Sequence, residues 1–530
     1  MIGSAPKKIA ALAVCALIAA ACGQSVIRRD LAAGNPVANR AALEQELKQE
    51  QKSGATLSRG GGSNVNVGNF GGGGGGGAST SGGGAGGGGG SSTGGGGGGS
   101  GRSNCATASN PAEGYTTSTL KFGTIIPLTG PLRPLGQQVL AVMRIAVDTF
   151  LNRRDYIPGP YARINWGCPL RPGVFGRRVT VQAFSLQQNT PEEALAGMRR
   201  LIDVDHVFLV RDCYLESNLM GAAVAYQNSR GVPAVWCGQA GTEPALAPWN
   251  FSPGVDPLKE AAIQTAYAIK VLHKQRLAII ADPSVKNSMV TVVKRVAAYL
   301  KHPIPNKCIR YKPAQEAANG EDAEVSAIRN CYGGLNGSPD AVLTSDALNL
   351  VFAALAARDQ GWRGADHGVT WFDLTAGWVQ ALAELCGDAC EGAITDCQAL
   401  PCIPWASPKK FPAAKVLLDD YHRYLSSFPP DILTFGPQAI TGGLGLWLGQ
   451  TGPNLTRDRL RQTFLSLKRW DAGIGPILTI TPQDHYGGAS VWLIKFTGRR
   501  AGSKVPWFDD LTGRFITLSE LGVPTSLTRP

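Results

Sequence analysis

The chain has 530 residues, 43% of them apolar and 17% charged, and a formal charge of +12. That balance excludes a wholly disordered chain, and the Lys and Arg are scattered rather than gathered in a stripe, which argues against nucleic acid as a partner. The longest basic runs are pairs such as Arg153-Arg154, Arg177-Arg178 and Lys409-Lys410, so solvated surface charge near anionic lipids is the better account.

At the N-terminus, Lys7 and Lys8 precede an apolar run from Ile9 to Ala21. The run is too short to cross a bilayer and has the n-region and h-region of a secretion signal. It ends Ile18-Ala19-Ala20-Ala21-Cys22-Gly23. Small residues directly before a cysteine resemble a lipobox, in which Cys22 is lipidated and becomes the mature N-terminus. An ordinary signal peptide cut nearby is the alternative. A lipid anchor holds a protein at a membrane surface without spanning it. The expected location is extracytoplasmic, in the periplasm or on the outer face of the cell membrane, and no transmembrane helix is expected.

Residues 1–22 thus read as a signal and 23–118 as a tether. A helical pattern over Ala41 to Gln51 is too short to be stable alone. Of the 68 glycines, 26 fall in the 42 positions from Gly60 to Gly101, with no Gly-X-Y period. Collagen is therefore excluded, and the glycine excess is one local linker. Such a coil spans roughly 35 Å root-mean-square. Its many G-x-G-x-x-G matches follow no predicted strand and carry no nucleotide site.

Ten cysteines lie outside the export signal: Cys105, Cys168, Cys213, Cys237, Cys308, Cys331, Cys386, Cys390, Cys397 and Cys402. An even number in an exported chain suggests disulfides. The last four lie close together, but without the Cys-x-x-Cys spacing of zinc knuckles, so no metal is expected. The sequence does not fix the pairing. Cys213–Cys237 and Cys308–Cys331 are guesses, because each pair flanks one predicted helical segment.

From Leu120 short apolar runs alternate with longer amphipathic ones. Strands are predicted at Leu120–Pro127, Val179–Phe184, Val207–Val210 and Val232–Trp236. The intervening helices are Gln137–Leu151, Pro191–Ile202 and Leu215–Ser229. A second series begins with a helix from near Asp256 to Leu272. Its strands are Arg276–Ala281, Lys307–Tyr311, Ala341–Thr344 and Val369–Phe372, alternating with helices Val285–Leu300, Ala323–Asn330 and Ala347–Gln360. The last third carries helices Ala413–Leu425, Pro437–Leu448 and Arg457–Leu467, the last with Thr456 as N-cap, and a final strand Ala489–Phe496. This alternation predicts an α/β protein with parallel sheets covered by helices on both faces, built twice. The stretch after Phe496 has no evident pattern.

Several segments resemble the type I periplasmic binding proteins, in particular the branched-chain amino-acid-binding receptors of ABC transporters. Leu120-Lys121-Phe122-Gly123-Thr124-Ile125-Ile126-Pro127-Leu128-Thr129-Gly130-Pro131 resembles the first strand and Pro-Leu-Thr-Gly loop. Gly136 and the helix to Asn152 follow at the expected spacing. Gly176-Arg177-Arg178-Val179, Gly231-Val232-Pro233 and Gly241-Thr242-Glu243-Pro244 resemble later turns, as do Gly387 to Gly392 and Gly475-Pro476. The resemblance implies two Rossmann-like lobes joined by a three-crossover hinge, closing on a ligand. Lobe 1 would hold 119–253 and 400–487, lobe 2 would hold 254–399 and 488–500, and 501–530 would be a C-terminal tail.

An amino acid or similar zwitterion needs hydrogen-bond donors for its carboxylate and an anion for its ammonium. Amides at strand-to-helix turns supply the donors. In an open α/β sheet, ligands bind at the carboxyl ends of the strands. The candidate contacts are Leu128 and Thr129 in the first loop, Ser217 in the second, and Ala240, Gly241 and Thr242 in the third. By the resemblance, Ser345 lies near a ring-bearing contact position and Asp373 stands at the place of the ammonium-binding acid. Ser217, Thr242 and Asp373 have a second reading as caps of turns or helices. Trp236, Trp371 and Trp378 read as core more readily than as pocket wall.

No catalytic signature competes. The six histidines form no His-Glu-x-x-His motif, and neither a Gly-x-Ser-x-Gly elbow nor a P-loop is present. An exported hydrolase is therefore disfavoured, and no cofactor is expected. The expected function is a lipid-anchored substrate-binding protein that captures an amino acid, amide or similar small polar solute. It would deliver the solute to an ABC permease and its ATPase. A sensory receptor of the same fold is the alternative.

Overall fold

The computed structural model describes residues 105–129, 133–153, 168, 171–187, 190–213, 220–237, 247–313, 321–334, 337–375, 380–397, 412–471, 475–498 and 508–529. All of these belong to one compact unit. Cys22, the Gly/Ser tract, and the expected crossing between 397 and 412 lie outside the described residues.

The first sheet is built from β1 (Thr119–Pro127), β2 (Arg178–Leu186), β3 (Leu209–Cys213), β4 (Ala234–Cys237) and β5 (Asn250–Phe251). Its order is β2-β1-β3-β4-β5, and all four pairings are parallel. Helices on both faces bury both sides of such a sheet, which is why β1 ends in six consecutive buried residues instead of alternating. The helices between these strands are α1 (Arg133–Ala146), α2 (Pro191–Arg199) and α3 (Gly221–Ser229). Thr190 caps α2, its side chain accepting from the Glu193 amide, and Pro191 follows at the first helical position. Ile125, Leu186, Met198, Leu201, Val210 and Val224 form the core beneath α2 and α3.

β6 (Gly254–Val255) carries the chain onward to α4 (Pro257–Lys270) and the second sheet. That sheet contains β7 (Leu277–Ala281), β8 (Ile309–Tyr311), β9 (Ala341–Thr344), β10 (Thr370–Asp373) and β11 (Ile394–Cys397). Among its helices are α5 (Met289–Tyr299), α6 (Asp322–Arg329), α7 (Ala347–Asp359), α8 (Gly364–His367) and α9 (Gln380–Cys386). The parallel part has the order β8-β7-β9-β10-β11, the same pattern as the first sheet.

The chain then returns to the first sheet through α10 (Pro412–Asp420), α11 (Ile432–Thr451) and α12 (Arg457–Leu465). Gln138 of α1 donates to Asp431 and Thr434 at 3.2 and 3.0 Å, and Arg457 donates to the Val207 carbonyl at 2.8 Å. Thr456 caps α12 as the sequence predicts, its hydroxyl accepting from the Arg459 amide at 3.1 Å. β12 (Gly487–Gly488) pairs with β6 in parallel, so two passages between the sheets run side by side. A Cβ at Gly488 would stand 2.3 Å from the Gly254 carbonyl oxygen, so only glycine permits this approach. Lys259 braces the passage, 2.6 Å from Asp484.

β13 (Ser490–Phe496) returns to the second sheet antiparallel to β11. The C-terminal stretch, which shows no pattern in the sequence, extends that sheet. β14 (Phe508–Asp510) and β15 (Ile516–Thr517) both pair with β13 antiparallel. The Trp492 indole donates to Asp510 at 2.7 Å, and Phe508, Ile516, Leu518 and Val523 are buried.

Other predicted elements shift, among them the helix expected from Gln137, which begins at Arg133. The helix expected from Pro437 begins five residues earlier, because Asp431 caps it by accepting from the Leu433 amide at 3.1 Å, leaving Pro437 inside the helix. The strand expected at Val207–Val210 runs over Leu209–Cys213, carried along by pairing with β1 and β4. The helix expected from Val285 begins at Met289, since a 3-10 turn at Pro283–Val285 comes first.

All nine cysteines among the described residues are disulfide-bonded. Four pairs are Cys105–Cys168, Cys213–Cys237, Cys308–Cys331 and Cys386–Cys390. Two of these are the pairs guessed from sequence. Among the described residues, no helix is long and apolar enough to cross a membrane.

Candidate functional site

In each sheet the strand order reverses beside the first strand, between β1 and β3 and again between β7 and β9. In open α/β sheets that reversal opens a crevice at the carboxyl edge, where ligands bind. Four of the sequence-predicted residues, Leu128, Thr129, Ser345 and Asp373, lie at these two edges.

On the first sheet, Leu128 is buried and Thr129 donates its hydroxyl to the Leu186 carbonyl at 2.8 Å. Thr129 thus ties the end of β1 to the end of β2. A Cβ at Gly136 would lie 1.9 Å from the Pro127 carbonyl oxygen, so this glycine lets α1 sit directly on the strand end. Asp212 turns the end of β3 with φ at 45°, and its carbonyl accepts from Thr124 at 3.0 Å. Arg211, fully buried, holds the Asp212 carboxylate at 2.5 Å and also donates to the Thr441 hydroxyl and the Pro437 carbonyl. Burial pushes the Asp212 carboxyl up, and Arg211 pulls it back.

Cys213 and Cys237 are register partners at the ends of β3 and β4, their Cα atoms 4.4 Å apart. The disulfide therefore fixes the roots of the two segments that carry Ser217 and Ala240, Gly241 and Thr242. Those four residues lie outside the described residues.

On the second sheet, Ser345 sits at the reversal itself. Its hydroxyl accepts from the Asp282 amide at 2.8 Å and donates to Asp346 at 2.7 Å, tying β9 to β7. Asp346 caps α7, accepting from the Asn349 amide at 2.9 Å. Asp373 is completely buried. Its carboxylate accepts from the Thr375 amide and hydroxyl at 3.0 and 3.1 Å and from the Thr395 hydroxyl at 3.1 Å. Burial pushes its pKa up to about 7, and the nearby Asp346 charge adds to the rise. Trp371 is core, edge-on to Trp362.

Three buried acids on this side escape sequence reasoning. Asp396 on β11 accepts from Gln264 at 3.0 Å and is raised by burial and by Asp373. Glu260, on α4 with Gln264, is also fully buried. Glu321 precedes α6 and is buried with neither carboxylate oxygen bonded. Nothing local marks them, since isolated acids read as surface. Among the described residues, no group of three His, Cys, Asp or Glu could hold a metal ion.

The edges thus offer hydroxyls, strand-end amides and carboxyls, suited to polar recognition of a small solute. A sequence profile described as periplasmic binding protein matches residues 119–502. The chain therefore belongs to the periplasmic binding protein family, and its role is solute binding. The same fold is seen in a leucine-binding protein of Thermotoga maritima, with a TM-score of 0.55 at 16% identity, covering 76% of this chain and 100% of that one. It is seen also in a solute-binding protein of an ABC transporter from Rhodopseudomonas palustris, solved with 3,4-dihydroxybenzoic acid. That match has a TM-score of 0.54 at 16% identity and covers 75% and 96% of the two chains. A fatty acid ABC transporter substrate-binding protein from Thermomonospora curvata matches with a TM-score of 0.54 at 18% identity, covering 75% and 94%. No curated protein matches the sequence at a significant level.

Proposed function

We propose that the protein is the extracytoplasmic substrate-binding component of an ABC importer. It is held at the membrane by lipid on Cys22 and passes its solute to a membrane permease and ATPase. The observation that supports this reading is the repetition of one reversed strand order in two sheets, linked by the paired passages β6 and β12, in a chain of this family.

Lobe 1 (119–253 and 400–487) and lobe 2 (254–399 and 488–500) close on an amino acid, amide or similar small polar solute. Closure is favoured because contacts from both lobes exist together only in the closed state. The amides and hydroxyl of Ala240, Gly241 and Thr242 receive the carboxylate, with Leu128, Thr129 and Ser217 lining the same side. Ser345 and Asp373 face the ammonium end. A pKa of about 7 suits Asp373 to this role, since an arriving cation favours its ionised form. The solved relatives are named for leucine, a dihydroxybenzoate and fatty acids, so the ligand class follows from loop residues rather than from the shared fold.

A thermal-shift screen of the purified chain against amino acids, amides and a broad metabolite panel tests the proposal. A ligand-dependent rise in melting temperature is expected. No response across the panel would overturn it. Thr242→Ala and Asp373→Ala should each weaken the hit, and unchanged affinity in both would sink the site assignment.

A further inference from the structure

The passages β6 and β12 run side by side, and the residues that flank them are fastened to different sheets. Just before β12, the His485 carbonyl accepts from the Ser252 amide at 3.1 Å, and its ring Nδ1 lies 2.8 Å from the Asn250 carbonyl oxygen. The same ring stacks on Phe251 of β5 with centroids 4.5 Å apart, and Phe251 stacks in turn on Phe464 of α12. The segment carrying Asp484 and His485 therefore belongs to the first sheet's side. Just after β6, Asp256 caps α4 by accepting from the Leu258 amide at 2.8 Å. Farther along α4, Gln264 donates to Asp396 of β11 at 3.0 Å. Lys259, in the first turn of α4, therefore moves with the second sheet.

One ion pair joins the two sides. The Lys259 ammonium is 2.6 Å from one carboxylate oxygen of Asp484 and donates to the Gly488 carbonyl at 3.3 Å. The other Asp484 oxygen accepts from the Tyr486 and Gly487 amides at 3.1 and 3.3 Å, which shapes the turn into β12. Asp484 thus holds its own passage with one oxygen and the other passage's helix with the second. Burial raises the Asp484 carboxyl, but Lys259 and these amides outweigh it and leave it below its ordinary value, so the pair is charged at neutral pH.

We propose that Lys259 and Asp484 are positioning residues for closure, a clasp that holds β6 and β12 as one ribbon so that the two lobes turn about a single axis. The inference rests on the two-lobed receptor reading. The pairing of β6 with β12 spans only Gly254–Val255 and Gly487–Gly488, too short a ladder to hold the passages together by itself. The side chains of the pair are 17% and 35% exposed, so as a plain surface bridge it adds little to global stability. Without the clasp each passage bends on its own, and fewer molecules present both lobes to a ligand in the matching orientation. Apparent affinity falls with that fraction, although neither residue touches the ligand.

The test uses the full chain and three variants. Lys259→Met keeps the side-chain stem, Asp484→Asn keeps an acceptor for the two turn amides, and Lys259→Arg keeps the charge. In ligand-free hydrogen exchange, Lys259→Met and Asp484→Asn should lose about threefold or more of the protection over 250–256 and 484–489. β1 and β9 should keep theirs, the melting temperature should stay within about 2 °C of wild type, and Lys259→Arg should restore the passages. Leucine, glutamine and 3,4-dihydroxybenzoate then serve as binding probes. Any that the wild-type chain binds should lose about threefold or more in affinity in the Met and Asn variants, and the double variant should be no worse than the weaker single one.

Unchanged protection over both passages in the Met and Asn variants overturns the clasp. Protection lost equally throughout both sheets also overturns it, since the pair would then be merely structural. Wild-type affinity in both variants for a probe that binds refutes the link to closure. Silence from all three probes leaves the exchange result to decide the clasp, and only silence across the broader panel above removes the receptor reading.

Discussion

The two sheets share a strand order but bury charge in opposite ways. Beneath the first, Arg211 meets Asp212 at 2.5 Å and spends its other donors on Thr441 and Pro437, so a buried anion has a buried cation. Around the second, Glu321, Asp373 and Asp396 are all buried, and the neutral side chains of Thr375, Thr395 and Gln264 donate hydrogen bonds to the two aspartates. An ion pair retains its charges on burial, whereas carboxyls buried without a cation are driven to hold protons. The carboxyls of the second sheet should therefore make stability depend on pH near neutrality, with Asp420 of α10, raised by burial to about 6, adding a smaller part from the first sheet's side.

Removing residues 508–530 separates the sheets most sharply. The deletion strips Phe508, Ile516, Leu518 and Val523 from the second sheet, a loss of about 6–12 kcal/mol at the usual value of a buried apolar side chain. That approaches the whole stability of a domain. Hydrogen exchange should show β11 and β13 losing protection while β1 to β4 keep theirs. Equal loss in both sheets would mean that they do not behave as separate units.

Arg211→Met probes the other side. It leaves the Asp212 carboxylate buried alone and should cost about 3–5 kcal/mol in denaturant unfolding at pH 7. Adding Asp212→Asn should recover part of it, since the unpaired charge is then gone.

The pH prediction follows from the sign of the shifts. Asp373 and Glu321 have folded-state pKa values of about 7 and about 9, above the ordinary carboxyl range near ~4. Between those limits the folded chain holds protons that the unfolded chain has shed. Their contribution is fully present below about pH 4 and is lost as pH rises through the folded values. Melting temperature should fall between pH 5.5 and 8.5, and Asp373→Asn should flatten that fall, by on the order of 1 kcal/mol per pKa unit removed. A fall as steep as in the wild-type chain would refute the assignment to Asp373. The smallest effect serves as a control: Thr456→Ala removes one cap on the first sheet's side, costs about 1 kcal/mol and should leave the pH slope untouched.

Much of this architecture is legible from local pattern. The alternation of apolar strands and amphipathic helices placed β1, β2, β9 and α7 within two residues, because burial on both faces of a parallel sheet leaves an unbroken apolar run. Thr456 was readable as a cap because capping needs only its own next three residues. Ser345 and Asp373 were legible as strand-end residues on the second sheet's carboxyl edge. Their hydroxyl and carboxylate turn out to be bonded to the protein itself, which no spacing rule reports.

What the sequence alone determined is therefore the repeated α/β unit, its family, and the local glycine tract that precedes it. Tertiary structure decided the rest. The stretch after Phe496 has no period of its own and becomes sheet only because β13 offers an unpaired edge on which backbone groups can be satisfied. Glu321 is an ordinary acid in sequence and an orphan in the fold, because burial is imposed by segments distant along the chain. Periodicity reports how a segment meets its nearest layer. Charge balance in a site depends on which layers meet there, and only the folded chain brings them together.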